Sequence, residues 1–273
     1  MAAAEEQALP GLIQDDEPAA FEVIRGGAER RLIIACDHAS RTIPRSLGTL
    51  GLADRYLEDH IAWDIGAGAV ARILCRRLGC VAVLGTYSRL VIDLNRHRND
   101  STAIPSISDG LLIPGNMSLS ETRRAQRIRE LFVPYHEAMN REILSLTSAG
   151  QVPVMITVHS FTPRYHGLDR PWEVGVLWDA DARLAPPLMA RLRSSGDIRV
   201  GDNEPYSGRH PADYTLDHHA ESLGLACAGI EIRQDLVDDP GGQAEWADRL
   251  ARALEPLLVD EVLYRRAATG MGD

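Results

Sequence analysis

The sequence predicts an α/β protein with a mainly parallel central sheet that is covered by helices on both faces. Short runs of bulky, partly β-branched residues alternate along the chain with segments whose apolar residues recur at helical spacing. This alternation is typical of parallel sheets, because a helix joins each strand to the next. Several predicted strands are followed at once by polar or charged residues, so we expect a site beyond the carboxyl ends of the strands.

The individual elements follow from local patterns in the 273 residues. Apolar spacing predicts a helix over residues 59–78 that Gly79 ends. The acidic, polar stretch 1–20 predicts a mobile tail, and residues 21–273 are predicted to form a single domain. The predicted strands cover residues 31–36, 81–85, 152–158, 173–178 and 226–232, together with part of 88–98, and further helices are predicted between 118 and 150 and over 184–193, 216–223 and 243–264.

The segment 88–98 organises the predicted site. Its apolar middle, from Leu90 to Leu94, has the composition of a strand buried on both faces, and Asn95 and Arg96 follow where this strand should end. A guanidinium beside an amide can hold a carboxylate through parallel hydrogen bonds. The segment therefore predicts a carboxylate-binding pocket, and a strand end with solvated arginines is the alternative.

Composition and charge exclude several classes of function. A net charge of -10 and a pI near 5.4 argue against binding to nucleic acid or to an anionic membrane. All 29 basic residues are arginine, which excludes Schiff-base chemistry and a Walker-type phosphate loop, since both need lysine. The four cysteines form no CxxC pair, and no export leader or long apolar run occurs, so we expect a cytoplasmic location.

Histidine and acidic side chains at the strand ends predict metal chemistry. His38 and His159 each follow a predicted strand, and Glu231 lies near the end of another. In a parallel sheet these ends meet at one edge, which would also carry Asn95 and Arg96. Two histidines and a carboxylate are the minimal protein ligands of a catalytic zinc ion.

Two assignments stay open at this point. Asp37, His60 and Asp64 compete for the third ligand position of the metal. Glu231 is the candidate general base, although a salt bridge to Arg233 would give it a purely structural role. The sequence contains no GxSxG, HExxH or GxGxxG motif, so other hydrolase and dinucleotide-binding chemistries have little support.

Six short motifs occur in the order Asp37-His38-Ala39-Ser40, His60-Ile61-Ala62-Trp63-Asp64-Ile65-Gly66, Ser88 to Arg96, His159-Ser160-Phe161-Thr162-Pro163, Arg170-Pro171-Trp172 and Ile230-Glu231-Ile232-Arg233-Gln234-Asp235. Together they resemble the N-formylglutamate amidohydrolase family over about residues 30 to 250. The resemblance implies a three-layer α/β/α sandwich with a mainly parallel, mixed central sheet, and one zinc ion as cofactor, with another divalent metal as the alternative. It also implies roles for His38, Asp64 and His159 as metal ligands, for Glu231 in catalysis, and for Arg89, Asn95, Arg96 and Arg233 in substrate binding.

The sequence position that supplies the third metal ligand in the wider group of related hydrolases has a different residue here. The aspartoacylase-like pattern has a glutamate ligand three residues after the first histidine, and Arg41 occupies that position here. Asp64 is therefore the predicted third ligand, with Asp37 and His60 as the alternatives.

The resemblance implies metal-dependent hydrolysis of the amide bond of N-formylglutamate or a similar N-acyl amino acid, to formate or another acid and the amino acid. A non-catalytic carboxylate-binding protein and a carboxypeptidase-like amidase of different acyl specificity are the alternatives. The partner is expected to be this small molecule rather than nucleic acid or a membrane. The loop 99–116 is long enough to serve as a lid, and the oligomeric state stays open.

Overall fold

The computed structural model describes residues 9–27, 31–209 and 213–267. The helices of this part are α1 (Asp54–Leu57), α2 (Ala67–Leu78), α3 (Glu121–Arg127), α4 (Val133–Ser148), α5 (Ala185–Arg193), α6 (Tyr214–His219) and α7 (Pro240–Leu254). The strands are β1 (Phe21–Arg25), β2 (Leu32–Cys36), β3 (Val81–Gly85), β4 (Ile107–Ser108), β5 (Leu111–Leu112), β6 (Val154–Phe161), β7 (Arg164–Tyr165), β8 (Leu168–Asp169), β9 (Val174–Leu177), β10 (Val200–Asp202) and β11 (Cys227–Arg233).

A mixed, mostly parallel sheet forms the centre of the described chain. Its strand order is β1-β3-β2-β6-β11-β9-β10, and β4 with β5 and β7 with β8 form two separate small hairpins. Strands β3, β2, β6 and β11 run parallel to one another, whereas β1 is antiparallel to β3 and β9 is antiparallel to β11. The predicted α/β class with a mainly parallel, mixed sheet is confirmed.

Helices cover both faces of the sheet. Alternate residues of each inner strand point to opposite faces, so neighbouring residues of one strand pack against different helices. Leu32 and Ile34 of β2 belong to an apolar cluster with residues of α2, α5 and α7. Their neighbours Ile33 and Ala35 belong to a second cluster, which contains residues of α4 and α6. The resulting arrangement is the three-layer α/β/α sandwich.

Residues 88–98 do not form the predicted strand. They are a sequence of turns after β3, in which the Val91 N–H donates to the Ser88 carbonyl and the Asp93 N–H donates to the Ala103 carbonyl. Leu90 and Val91 are nevertheless fully buried in the second apolar cluster. A buried loop and a buried strand thus share the same apolar composition, which is why the pattern was misleading here.

The helix predicted over 59–78 begins later, at Ala67. Gly66 precedes it with φ of 79°, a left-handed conformation, and a Cβ at that position would lie 2.1 Å from the Val237 carbonyl oxygen. The Asp64 N–H donates to the His38 carbonyl over 3.0 Å. The late helix start therefore leaves Asp64 on a loop that is attached to the segment carrying His38.

Part of the predicted tail packs against the domain. The side chain of Leu12 is buried, and its N–H donates to Glu130 over 2.6 Å. Residues 1–8 lie outside the described residues, and the single domain over 21–273 stays a prediction. Loop 99–116 contains the β4–β5 hairpin, and its role as a lid also stays a prediction.

In residues 9–27, 31–209 and 213–267, no helix is long and apolar enough to cross a membrane.

Candidate active site

A cavity of about 650 Å³ lies at the carboxyl ends of the central strands. His38, Asn95, Arg96, His159 and Glu231 all contribute to its wall, although they are far apart in the sequence. Its size falls within the range of small-molecule sites, which is roughly 300–1,000 Å³. The structure therefore brings together the residues that were expected to meet at one edge of the sheet.

Strand register explains why two of these side chains are adjacent. Glu231 of β11 and His159 of β6 are direct partners in the parallel ladder. Ile230 and Ile232, the neighbours of Glu231, pack into the first apolar cluster, so Glu231 faces the opposite side of the sheet. The acid and the imidazole consequently stand beside each other on the face that carries α4 and α6.

Three side chains form a group that could hold a metal ion. His38, Asp64 and His159 each offer one ligand atom, and these atoms lie within 4.8 Å of one another. The Asp64 Oδ2 atom is 3.3 Å from His38 Nδ1 and 2.8 Å from His159 Nδ1, and all three residues are buried. Two imidazoles and a carboxylate match the donor set of catalytic zinc sites.

A second carboxylate lies behind each imidazole. His38 Nε2 is 2.7 Å from Asp93 Oδ1, and His159 Nε2 is 3.3 Å from Asp37 Oδ2. Metal-binding histidines commonly face a carboxylate on the nitrogen that does not bind the metal, and this contact fixes the ring and its tautomer. Asp93 thus leaves the Nδ1 atom of His38 free to face the ion, whereas His159 Nε2 and Asp37 Oδ2 lie close but are not hydrogen-bonded to any described residue.

The structure distinguishes among the three candidates for the third ligand. Asp64 meets both Nδ1 atoms, whereas Asp37 lies at the far nitrogen of His159. His60 lies on the cavity wall, but its Nδ1 atom is 2.6 Å from Asp59 Oδ1. Only Asp64 joins the two histidines in the group that could hold a metal, among the residues that the structure describes.

Arg89 is engaged by two acidic side chains of the site. Its Nη1 atom is 3.3 Å from Asp64 Oδ1, and its Nη2 atom donates to Asp93 Oδ2 over 2.7 Å. Burial alone would lower the pKa of Arg89, but these two carboxylates raise it above its usual value. Arg89 therefore orients Asp64 and Asp93, in addition to lining the cavity.

Arg96 and Asn95 present polar groups to the cavity. Arg96 is exposed on the cavity wall and makes no hydrogen bond with the described part of the chain, although its charge acts on Asp93 and Asp100. The Asn95 Oδ1 atom accepts the Thr215 N–H over 2.9 Å, which holds the amide beside α6. An unpaired guanidinium on a cavity wall is well placed to bind a carboxylate.

The structure does not bring Arg233 to the cavity, contrary to its predicted role in substrate binding. Its guanidinium contacts Glu173 at 3.2 Å and Asp235 at 2.8 Å. These two acids already neutralise the charge of Arg233, and the residue is absent from the described cavity wall. The alternative of a salt bridge between Glu231 and Arg233 also finds no contact in the structure.

Glu231 is buried without a compensating contact for one of its oxygens. The residue is 7% exposed, and its Oε2 atom has no hydrogen-bond partner among the described residues. Burial raises the pKa of the Glu231 carboxyl to about 7, against the opposing effect of His159. A carboxyl group with a pKa near neutrality can both accept and return a proton.

Sequence reasoning missed several residues that support the site. Asp93 holds His38 and Arg89, and its only signal in the sequence is an acid inside an apolar run. Asp37 accepts hydrogen bonds from the hydroxyl groups of Tyr135, over 2.8 Å, and Thr215, over 2.7 Å. Tyrosine and threonine at these positions show no pattern that would connect them to the site before the fold is known.

The fold and the cavity define an α/β protein with a candidate metal centre of the hydrolase type. The chain belongs to the N-formylglutamate amidohydrolase family, whose family model matches residues 30–237. A curated relative is the N-formylglutamate deformylase of Pseudomonas aeruginosa, which is 24% identical over 196 residues, 66% of this chain and 73% of that protein.

Two solved structures share the fold. A gene product of Agrobacterium tumefaciens is 39% identical, with a TM-score of 0.87 over 91% of this chain and 98% of that chain. The N-formylglutamate amidohydrolase of Ralstonia eutropha is 18% identical, with a TM-score of 0.64 over 89% of this chain and 98% of that chain. The second likeness concerns the fold alone.

Proposed function

We propose that this protein is a zinc-dependent amidohydrolase that cleaves the amide bond of N-formylglutamate or a similar N-acyl amino acid. The products would be formate, or another acid, and the free amino acid. The observation that carries the proposal is the group of His38, Asp64 and His159 beside the buried, unpartnered Glu231 on one cavity wall. Family membership and the curated deformylase relative support this reaction. A cytoplasmic location belongs to the same proposal.

His38, Asp64 and His159 would hold the zinc ion. Their donor atoms and the carboxylates behind both imidazoles fit such an ion. When bound, zinc would supply Lewis acidity for the amide carbonyl and would make water more acidic. Arg89 would keep Asp64 in place through its contact with the oxygen that does not face the histidines.

Glu231 would carry the proton during hydrolysis. Its carboxylate accepts a proton from the attacking water as the hydroxyl oxygen bonds to the amide carbon. It then returns this proton to the nitrogen as the carbon–nitrogen bond breaks, so that the amino acid leaves with a neutral amine. The raised pKa of Glu231, about 7, suits both transfers near neutral pH.

Arg96 would bind the substrate carboxylate. Its guanidinium lies on the cavity wall without a partner among the described residues, and two parallel hydrogen bonds to a carboxylate would fix the substrate in one orientation. Asn95, which is held by Thr215, would add a polar contact beside it. Correct orientation of a reacting amide accounts for several kcal/mol of a reaction barrier, up to about 7–11 kcal/mol in ideal cases.

The test is formate release from N-formyl-L-glutamate by purified protein supplied with zinc. A panel of N-formyl, N-acetyl and N-succinyl amino acids separates the proposed reaction from an amidase of different acyl specificity. Glu231→Gln should lower kcat by about 100- to 10,000-fold, the usual range for loss of general acid–base catalysis. Glu137→Gln, an exposed change on α4, is the control. Binding of these compounds without hydrolysis of any would favour the non-catalytic alternative.

A further inference from the structure

Two buried histidines that take no part in the proposed reaction lie between α4 and α6. His136 of α4 is 6% exposed, and His219 of α6 is fully buried. His136 Nδ1 is 2.8 Å from His219 Nε2, and His136 Nε2 is 3.0 Å from the main-chain carbonyl oxygen of Leu94. Leu94 directly precedes Asn95 and Arg96, so this histidine pair contacts the segment that carries the proposed carboxylate-binding side chains.

The direction of each hydrogen bond follows from the chemistry of the groups. Burial lowers the pKa of His136 to about 4 and that of His219 to about 3, so both rings are neutral near pH 7 and each carries one N–H. A carbonyl oxygen only accepts, so His136 donates from Nε2 to Leu94, and its Nδ1 atom accepts from His219 Nε2. The side-chain amide of Asn140 is 3.1 Å from His219 Nδ1. The nitrogen and oxygen of an amide exchange on a half-turn, and the nitrogen is the atom that can donate to this Nδ1 atom.

Aromatic side chains hold the ring of His136 on its other sides. Its centre is 4.2 Å from the ring centre of Phe132 and 5.1 Å from that of Tyr214. A ring that is enclosed in this way keeps one rotamer, because close packing leaves no room for another. His136 therefore presents its Nε2–H to the Leu94 carbonyl from a fixed position.

The residues on either side of Leu94 are held as well. The Asn95 N–H donates to Asp93 Oδ1 over 2.9 Å, and the Asn95 Oδ1 atom accepts from the Thr215 N–H over 2.9 Å. The Arg96 N–H donates to the Asp93 carbonyl over 3.3 Å. The backbone that leads to Arg96 is thus fixed by α4, α6 and Asp93, whereas the Arg96 side chain faces the cavity.

We propose that His136 is a positioning residue: fixed by His219, it holds the Leu94 carbonyl and thereby places the Arg96 guanidinium for the substrate carboxylate. This inference rests on the proposed function, in which Arg96 binds that carboxylate. Without the contact, the backbone before Arg96 can shift while the rest of the cavity stays in place. Two parallel hydrogen bonds to a carboxylate tolerate little misplacement, so ligand binding should weaken.

Two amide variants separate the two contacts of His136. Glutamine can place its amide nitrogen near the position of Nε2 and donate to Leu94, whereas asparagine reaches only the position of Nδ1 and keeps the contact with His219. Each is combined with Glu231→Gln, and the zinc-loaded proteins are titrated calorimetrically with N-formyl-L-glutamate. His136→Asn should raise the Kd by about 10-fold or more, the effect of losing one hydrogen bond, and His136→Gln by about threefold or less. Equal effects of the two variants, no effect of either, or no binding to the Glu231→Gln parent would overturn the inference.

Unfolding in urea shows whether a general loss of packing could explain weaker binding. Each variant removes one of the two hydrogen bonds of the buried ring, so both should lose stability relative to the parent. The positioning role predicts that only His136→Asn also weakens ligand binding. A Kd that rises in proportion to the loss of stability in both variants would overturn it.

A double-mutant cycle tests whether His136 acts through Arg96. Arg96→Lys removes the paired hydrogen bonds that the position of the guanidinium serves. In the Arg96→Lys background, His136→Asn should therefore raise the Kd by only about threefold or less. A further increase of about 10-fold would overturn the inference, because the effect would then bypass Arg96.

Turnover separates this inference from the proposed function. In the otherwise unchanged chain, His136→Asn should raise KM for formate release from N-formyl-L-glutamate by about 10-fold or more and change kcat by about threefold or less. The predicted binding pattern without formate release from any compound would remove the hydrolase proposal and leave the positioning role standing. A lower kcat with unchanged KM in His136→Asn would overturn the positioning role alone.

Discussion

Replacing Asp93 by asparagine should weaken metal binding without changing any of the three candidate ligands. One oxygen of Asp93 is 2.7 Å from His38 Nε2, and the other accepts from Arg89 Nη2 over 2.7 Å. Asparagine has only one oxygen, so its amide nitrogen must face either the imidazole N–H or the guanidinium. A donor would then meet a donor in a buried position, and His38 would lose the contact that fixes its ring.

The expected loss of zinc affinity follows from the role of a carboxylate that contacts a metal-binding histidine. Loss of a carboxylate behind a metal-binding histidine lowers metal affinity by about 10- to 100-fold. This range corresponds to about 1.4–2.8 kcal/mol of binding free energy. Asp64 and His159 are untouched in the variant, so we expect a weaker site rather than its complete loss.

The assay is competition for zinc between the protein and a chromophoric chelator of known affinity. Asp93→Asn should shift the zinc Kd by about 10- to 100-fold. Asp100→Asn should leave it unchanged, since Asp100 is exposed, its carboxylate accepts from Thr102, and it is not one of the three candidate ligands. A Kd within twofold of the wild-type value, in protein that circular dichroism shows to be folded, would refute this reasoning.

Four further changes test the substrate contact, the backbone conformation of two glycines and the pH dependence of stability. Arg96→Lys should raise KM by about 10-fold or more with a smaller effect on kcat, because an ammonium group cannot form two parallel hydrogen bonds to a carboxylate. Arg98→Lys is the control. Unchanged kinetics in Arg96→Lys would argue against binding of the substrate carboxylate by Arg96. Gly110→Ala should lower the free energy of unfolding in urea by about 1–2 kcal/mol because of its left-handed conformation. Gly66→Ala should lower the free energy of unfolding by about 1–3 kcal/mol more than Gly110→Ala, since the added Cβ would also meet backbone atoms of Val237. Equal losses in the two variants would contradict this close contact. Burial lowers the pKa of His136 from 6.5 to about 4, so the unfolded chain binds a proton that the folded protein does not. As the pH falls from about 6.5 to 5, His136 should therefore lower the free energy of unfolding by about 2 kcal/mol. His136→Gln should remove this part of the pH dependence, as measured by urea titrations at several pH values. The same pH dependence in both proteins would contradict this role of His136.

The sequence was sufficient to predict the positions of the histidines relative to the sheet. His38 lies two residues after β2, and His159 lies two residues before the end of β6, which is longer than predicted; the apolar runs before both are unambiguous. Parallel pairing then brings their side chains together with Glu231. The prediction of Asp64 needed a resemblance to a family, because a loop position gives no periodic signal.

The errors have a physical origin in contacts that sequence spacing does not reveal. The middle of segment 88–98, from Leu90 to Leu94, has the apolar residues of a buried strand but packs against the second cluster as turns. Arg233, which was predicted to bind substrate, instead pairs with Glu173 and Asp235 and is absent from the described cavity wall. Pairing of this kind depends on which segments become neighbours, so it could be seen only in the folded chain.

The central claim is that His38, Asp64 and His159 hold the ion on which hydrolysis of an N-formyl amino acid depends. The direct measurement is formate release by chelator-stripped protein before and after addition of stoichiometric zinc, in the wild-type chain and in Asp64→Ala. We predict negligible release without zinc, recovery in the wild type and no recovery in the variant. Equal formate release with and without zinc, or full recovery in Asp64→Ala, would contradict the claim.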